Sequence, residues 1–439
     1  MSVLMGVTGK SDEGVGGMSI VLPRINGARI HAALETFAQI GGTGDGGVHR
    51  LCFSEEDAQA RAALRRWWEE LGLVVRTDAA ANMFGRWDNG AAGPAILLGS
   101  HLDTVPRGGR FDGALGVIVA TEVVRCLKEA EVRTHHPLEV VNFTGEEPNP
   151  FGRSTIGSRA VAGRLRPEEL QAAGPGGETL GQALARFGGD PGRIELSRRT
   201  QADVAAFLEL HIEQGRVLES AGLPVGVVTH IAGIRRLMCR LVGEANHSGT
   251  TRMSERKDAL AAAAEVVLAV EDLAQSTGAP AVGTVGRLEV EPNAPNIVPG
   301  AVTFTVELRH VDGAVLDRMV ETCREQILQV AGRRGLEAQV EVTMATQPVP
   351  MHPSVVEVLA RACRQAGVPY MELPSMAGHD AAHMAAVAPT GMLFVASRDG
   401  KSHTPEEFTE PEVIEQGAQV MLAAVLELDR ALAGGRKEA

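Results

Sequence analysis

Residues 97–117 read LLGSHLDTVPRGGRFDGALGV. An apolar run that begins near Pro94 breaks abruptly at His101 and Asp103, and a glycine-rich turn then delivers Asp112. The run has the length and composition of a buried β-strand, so the polar residues fall at its carboxyl end. A surface turn needs neither an imidazole nor two carboxylates, so this arrangement points to chemistry. The pattern then repeats. ALGVIVATEVVRCLKEA has helical apolar spacing, and HPLEVVNFTGEE is a second buried strand that ends on Glu146 and Glu147. Strand, loop, helix, strand is the order of an α/β layer structure, in which ligands sit beyond the carboxyl ends of the strands.

The rest of the chain extends this pattern and interrupts it once. Residues 25–40 and 54–73 predict helices, the second with Ser54 as N-cap and an acidic first turn. LVVRTDAAANMFGRW predicts a strand pair, 164–200 short helices punctuated by glycine, and AAFLELHIEQG a buried segment ending at His211. From Gly233 the order becomes strand, helix, strand, strand, helix, strand. That order predicts a ferredoxin-like split βαβ unit inserted over 233–344. Residues 25–232 and 345–439 would then form one α/β domain, preceded by a mobile extension over 1–24.

At 439 residues the chain is long enough for two domains. Its formal charge of −13 argues against nucleic acid or an anionic membrane as the main partner. No apolar run reaches membrane-spanning length, and acidic residues stand near the N-terminus where a secretion signal would be apolar. The five cysteines are dispersed, without a C-x-x-C pair, which reads as reduced thiols in a cytoplasmic protein. A metal would therefore be held by His, Asp and Glu.

Those residues are present in quantity at strand ends: His101, Asp112, Glu147, His211 and, in DGKSHTPEEF, His403. Such a set suits divalent ions of zinc or manganese type. Two ions sharing a carboxylate would acidify a water and stabilise a tetrahedral species. Asp112 is the expected bridge, and Asp103, in His-x-Asp, the expected support of the His101 imidazole. Successive residues leaving a strand point in different directions, so Glu147 is read as a ligand and Glu146 as the general base.

GSHLDTVPRGGRFDGALGV, GEEPNPFGRSTIGSR, LELHIEQG, GEANHSGTT, NIVPGAVTFTVELRH, AGHDAAHMA and SHTPEE together resemble the hydantoinase/carbamoylase branch of the M20 dinuclear metallohydrolases, over residues 25–428. The resemblance implies an α/β catalytic domain with two divalent ions, zinc first and manganese, cobalt or nickel as alternatives. It also implies an inserted lid through which two subunits form a homodimer. The implied reaction is hydrolysis of an N-carbamoyl-L-amino acid to amino acid, CO2 and ammonia. Allantoate or another N-acyl conjugate as substrate, or a non-catalytic metal-binding homologue, stay open. Carried over by position, His101, Asp112, Glu147, His211 and His403 are the metal ligands and Glu146 the base. His247 is the lid histidine that stabilises the oxyanion, Asn296 and Arg309 grip the substrate carboxylate, and Gln214 contacts the substrate near the metals. An arginine fork suits a carboxylate, although Arg309 can equally pair with Glu307 or Asp312. His379, in AGHDAAHM, is placed on the pocket wall. Three departures from the branch are Pro148-Asn149-Pro150 ahead of Arg153, Arg252 in place of a proline, and Glu307 in place of an aspartate.

Overall fold

A computed structural model describes residues 22–435, and nearly all of the expected N-terminal extension lies outside the described residues. The chain runs α1 (Gly27–Gln39), α2 (Glu55–Glu70), β1 (Val74–Thr77), β2 (Met83–Trp87), β3 (Ala95–His101), α3 (Ala114–Glu129), β4 (Leu138–Phe143), α4 (Ile156–Val161), α5 (Leu180–Arg186), β5 (Val204–Ile212), α6 (Val217–Ala221) and β6 (Val225–Ile231). It continues with β7 (Gly233–Val242), β8 (Asn246–His247), α7 (Ala259–Thr277), β9 (Val282–Glu291), β10 (Ile297–Val298), β11 (Ala301–His310), α8 (Gly313–Arg334) and β12 (Glu337–Thr346). The last elements are β13 (Val349–Pro350), α9 (Pro353–Ala366), β14 (Tyr370–Ser375), α10 (Ala381–Met384), β15 (Thr390–Val395) and α11 (Pro411–Gly435).

The larger sheet is mixed, in the order β1-β2-β4-β3-β5-β15-β6-β13, with β14 also paired to β6. Its centre, β4-β3-β5-β15, is parallel. Alternate residues of these strands feed different cores. Ile96, Leu98, Val140 and Leu208 pack with α1, α2, α3, α9 and α11 on one face, whereas Leu97, Val141, Phe207 and Phe394 pack with α10 and other segments on the opposite face. Burial on both sides is why these strands are continuous apolar runs rather than alternating ones. The predicted cap of α2 is present, with Ser54 Oγ accepting the Asp57 N–H at 3.2 Å.

The second sheet has the order β12-β7-β11-β9, all antiparallel, which is the 4-1-3-2 order of a split βαβ unit. Here one face is covered by α7 and α8. The strands accordingly alternate, Leu237, Cys239 and Leu241 inward and Arg236 and Arg240 outward. The last strand runs on to Thr346, past the expected boundary.

Two strands are not evident from the sequence. One is β6, to which the sequence reading assigns no strand; only Ala232 separates it from β7, and the chain crosses there from one sheet to the other. Strand β14 contains Pro374, and its register shifts between Leu373 and Ser375; a residue without an N–H weakens the strand signal.

Arg50 is only 1% exposed. It donates to the carbonyls of Phe37 (2.8 Å) and Ile40 (2.9 Å) at the end of α1, and to Leu102 (2.7 Å) between His101 and Asp103. Burial lowers its pKa to about 10, so the cation persists at neutral pH. It ties the carboxyl end of β3 to α1. Arg50→Met should strand these carbonyls and cost about 2–4 kcal/mol. A urea denaturation midpoint equal to that of the wild type would remove Arg50 from this role.

Candidate metal centre and active site

The parallel strands end side by side, and each supplies a donor to the same place. His101 closes β3, Glu146 and Glu147 follow β4, His211 lies near the end of β5, and His403 is on the loop after β15. Asp112 stands in their midst. Its Oδ1 lies 3.1 Å from His211 Nε2 and 3.7 Å from His101 Nε2, and its Oδ2 lies 3.3 Å from His403 Nε2. His403 Nε2 is also 3.2 Å from Glu147 Oε1. Among the described residues three sets of donor atoms lie within 4.8 Å of one another: Glu209–His211–His379 behind the centre, and the two ligand groups that meet in it, His101–Asp112–His211 and Asp112–Glu147–His403. These two share Asp112, one oxygen for each.

The backbone orients these donors. His101 Nδ1 donates to the Asp103 carbonyl at 2.9 Å, and His211 Nδ1 to the Ile212 carbonyl at 2.9 Å. Each bond fixes the ring so that Nε2, the nitrogen left for a metal, faces Asp112. Gly113, at φ +64°, makes the turn into α3 possible; a Cβ there would lie 2.3 Å from the His101 ring. Asp112 Oδ2 accepts from Gln214 Nε2 at 2.8 Å and has Ser402 Oγ at 3.0 Å.

Asp103, Asp112 and Glu147 are buried and Glu146 nearly so, and no Lys or Arg forms an ion pair with them among the described residues. Burial lowers the pKa of His211, but the Asp112 carboxylate outweighs it and the value rises to about 9. Hydrogen bonds to Asp112 and Glu147 raise His403 to about 10. The field at both Nε2 atoms therefore favours positive charge. Three imidazoles and two carboxylates in that field fit divalent cations of borderline softness. Glu146 belongs to neither ligand group. Its Oε2 is 3.7 Å from His101 Nε2, and burial with the Glu147 carboxylate pushes its pKa well above the ordinary range.

Other expected residues are placed differently. The His101 ring hydrogen-bonds the Asp103 carbonyl, and the Asp103 carboxylate lies 3.8 Å from the same Nδ1. That carboxylate also accepts the backbone N–H of Glu147 at 3.1 Å and of Glu146 at 3.4 Å, and so orients both glutamates. His379 is 3% exposed, with its ring 4.6 Å from that of His211 and its Nε2 2.8 Å from Ser375 Oγ. It stands behind a ligand rather than on an open wall. Arg309 makes the rival pairing, Nε to Glu307 Oε1 at 2.9 Å, and its Nη1 donates to the Met376 carbonyl at 2.6 Å. His247 is exposed; its Nδ1 accepts the Gly249 N–H at 3.0 Å, which leaves Nε2 as an outward donor. Asn296 lies beside it, its carbonyl accepting the Ser248 N–H at 3.0 Å. Arg153 is drawn to Glu169, 3.6 Å away.

Two buried carboxylates escape the sequence reading. Glu209 accepts from Ser100 Oγ at 2.7 Å and from the Ala381 N–H at 3.0 Å, beside His211. The period of two in LELHI was the available signal, since Glu209 and His211 share a strand face. Glu407 accepts the N–H groups of Phe111 and Asp112. Nothing in SHTPEE separates it from the neighbouring Glu406.

Comparison with known proteins gives a family match to peptidase family M20/M25/M40 over residues 97–427. An N-carbamoyl-L-amino acid amidohydrolase of Geobacillus stearothermophilus is 42% identical over 405 residues, 92% of this chain and 99% of that one. An allantoate amidohydrolase of Bacillus subtilis is 36% identical over 88% of this chain and 94% of its own length. A crystal structure of a hydantoinase/carbamoylase family amidase from Burkholderia multivorans superposes with a TM-score of 0.85 at 37% identity, covering 92% of this chain and 98% of that one. With the match running from the strand that carries His101 into the last helix, and with relatives alike over more than nine-tenths of their length, the chain belongs to peptidase family M20/M25/M40.

Proposed function

We propose that this chain hydrolyses the ureido C–N bond of an N-carbamoyl-L-amino acid, releasing the amino acid, CO2 and ammonia. The observation that carries the reading is the sharing of Asp112 by two ligand groups, with Glu146 beside them and in neither. The 42% identity to an amidohydrolase of that name favours this substrate over allantoate, whose hydrolase is 36% identical.

His101, Asp112 and His211 would hold one divalent ion, and Asp112, Glu147 and His403 a second, zinc being the first choice. Ions held there polarise a carbonyl and acidify water. Glu146 takes the proton of the attacking water and delivers it to the leaving nitrogen, a task suited to a carboxylate of raised pKa. Asp103 keeps Glu146 and Glu147 apart in role by fixing both backbones. His247, with Nε2 outward, donates to the oxyanion, and Asn296 joins Arg309 in holding the substrate carboxylate. The substrate then takes the place of Glu307 at the guanidinium.

The four-stranded unit acts as lid and dimer contact. Supporting this, β9 is an edge strand ten residues long with Val282 and Leu288 exposed, and Leu268 on α7 is exposed as well. Unprotected edges of that kind pair with another chain. No described helix is long and apolar enough to cross a membrane. The five buried, unpaired cysteines support a reducing compartment such as the cytoplasm.

Three outcomes follow. Protein loaded with Zn2+, Mn2+ or Co2+ should release ammonia from N-carbamoyl-L-amino acids, and Glu146→Gln should lower kcat by roughly 10²–10⁴-fold with metal content unchanged; loss of metal instead would exchange the roles of the two glutamates. Arg309→Ala should raise KM for carboxylate substrates about 10- to 100-fold, the scale of a charged hydrogen bond; unchanged kinetics would take Arg309 out of the site. Light scattering should give twice the chain mass, and a Val282→Glu, Leu288→Glu double variant should be monomeric; a monomeric wild type would end the dimer reading.

A further inference from the structure

The two halves of the ligand set come from loops that no strand pairing joins. The Asp112 loop leaves β3 and the His403 loop leaves β15, and β5 lies between those strands in the sheet. His101 and His211 are each fixed by an Nδ1 bond to a backbone carbonyl. His403 is different. Its side chain is 49% exposed, its Nδ1 has no partner among the described residues, and its contacts are Asp112 and Glu147. Its position must come from the loop that carries it.

Glu407 supplies the link. It is 3% exposed and belongs to neither ligand group. Its Oε1 accepts the N–H of Phe111 at 2.9 Å and of Asp112 at 3.0 Å. Its Oε2 lies 3.0 Å from Ser402 Oγ, which is itself 3.0 Å from Asp112 Oδ2. The result is a closed ring: Asp112 backbone, Glu407, Ser402, Asp112 carboxylate. His403 sits in the chain between the two residues that close it. Gly109 makes room, since a Cβ there would fall 1.9 Å from Glu407 Oε1. The rings of Phe111 and Phe408, 5.8 Å apart and edge to face, add an apolar contact between the same loops.

We infer that Glu407 is the positioning residue that holds the His403 loop to the Asp112 loop and so forms the Asp112–Glu147–His403 ion subsite. This rests on the metal-centre reading above. The role is geometric, not one of charge. A glutamine at 407 can accept both N–H groups through Oε1 and donate through Nε2 to Ser402 Oγ, whose hydroxyl then serves Asp112. An alanine leaves both N–H groups without their acceptor and opens the ring.

The test is Zn2+ or Co2+ titration of full-length, chelator-stripped protein by calorimetry, alongside thermal unfolding of the metal-free chains. The wild type should bind two ions. Glu407→Ala should bind one ion with affinity within about threefold of wild type and the other about 10- to 100-fold more weakly, the usual scale for loss of a ligand's support. Glu407→Gln should retain both. Ser402→Ala, which removes one link and leaves the N–H bonds in place, should fall between them and serves if the Glu407→Ala chain does not fold. The proposal is overturned if Glu407→Ala or Ser402→Ala binds both ions as wild type does, if either weakens both ions equally, or if Glu407→Gln loses an ion as Glu407→Ala does. A wild type that bound fewer than two ions would instead overturn the metal-centre reading, and this role with it.

Discussion

Asp112 is a buried carboxylate with imidazole nitrogens on three sides, at 3.1, 3.3 and 3.7 Å. A charge removed from water persists only where donors and opposite charge reach it, and the fold is arranged to bring them. The parallel order β4-β3-β5-β15 places four strand ends together: β3, β5 and the loop after β15 bring the three imidazoles to Asp112, and β4 brings Glu147 against His403. Although burial alone would raise its pKa, the His211 and His403 imidazoles hold Asp112 well below the ordinary carboxylate range. The strand order, the glycines at 109 and 113 and the amide of Gln214 all serve that one side chain.

The supporting bonds are largely made by backbone. The Asp103 and Ile212 carbonyls set two imidazoles, and the N–H groups of Glu146 and Glu147 are set by the Asp103 carboxylate. The loop after Glu147 is tied back in turn, with the N–H groups of Thr155, Ile156 and Gly157 donating to the carbonyls of Glu146, Gly145 and Thr144. The two prolines at 148 and 150 therefore lie on a loop whose ends are pinned, and Arg153 is held by Glu169 away from the ligands.

Much of this was legible in the sequence because it follows from period and position. Apolar runs that stop at His101, Glu146 and His211 reveal three buried strands and the edge at which they end. The capped start of α2 and the six-element order after Gly233 are equally local signals. What was not legible depends on which partner a group finds in space. Asp103 meets the His101 ring through its carbonyl as well as its carboxylate, and the carboxylate also takes two backbone N–H groups that no motif encodes. Arg309 had two acceptors available, and the structure selects Glu307 and the Met376 carbonyl. Glu209 and Glu407 look like ordinary acids in one dimension, and only burial against Ser100 or the Phe111 N–H gives them meaning. Strand β14 hid behind Pro374.

The ring formed by Asp112, Glu407 and Ser402 joins the first third of the chain to its last tenth, just before α11. During synthesis the His101 and Asp112 loop emerges early, the entire four-stranded unit follows, and His403 comes only after β15. One ligand group can be complete once His211 has been made, whereas the other waits for the end of the chain. The two ligand groups are thus ordered in time as well as in space: the residues of one are all synthesised long before the last of the other, and docking of the last loop is what brings His403 to the shared carboxylate.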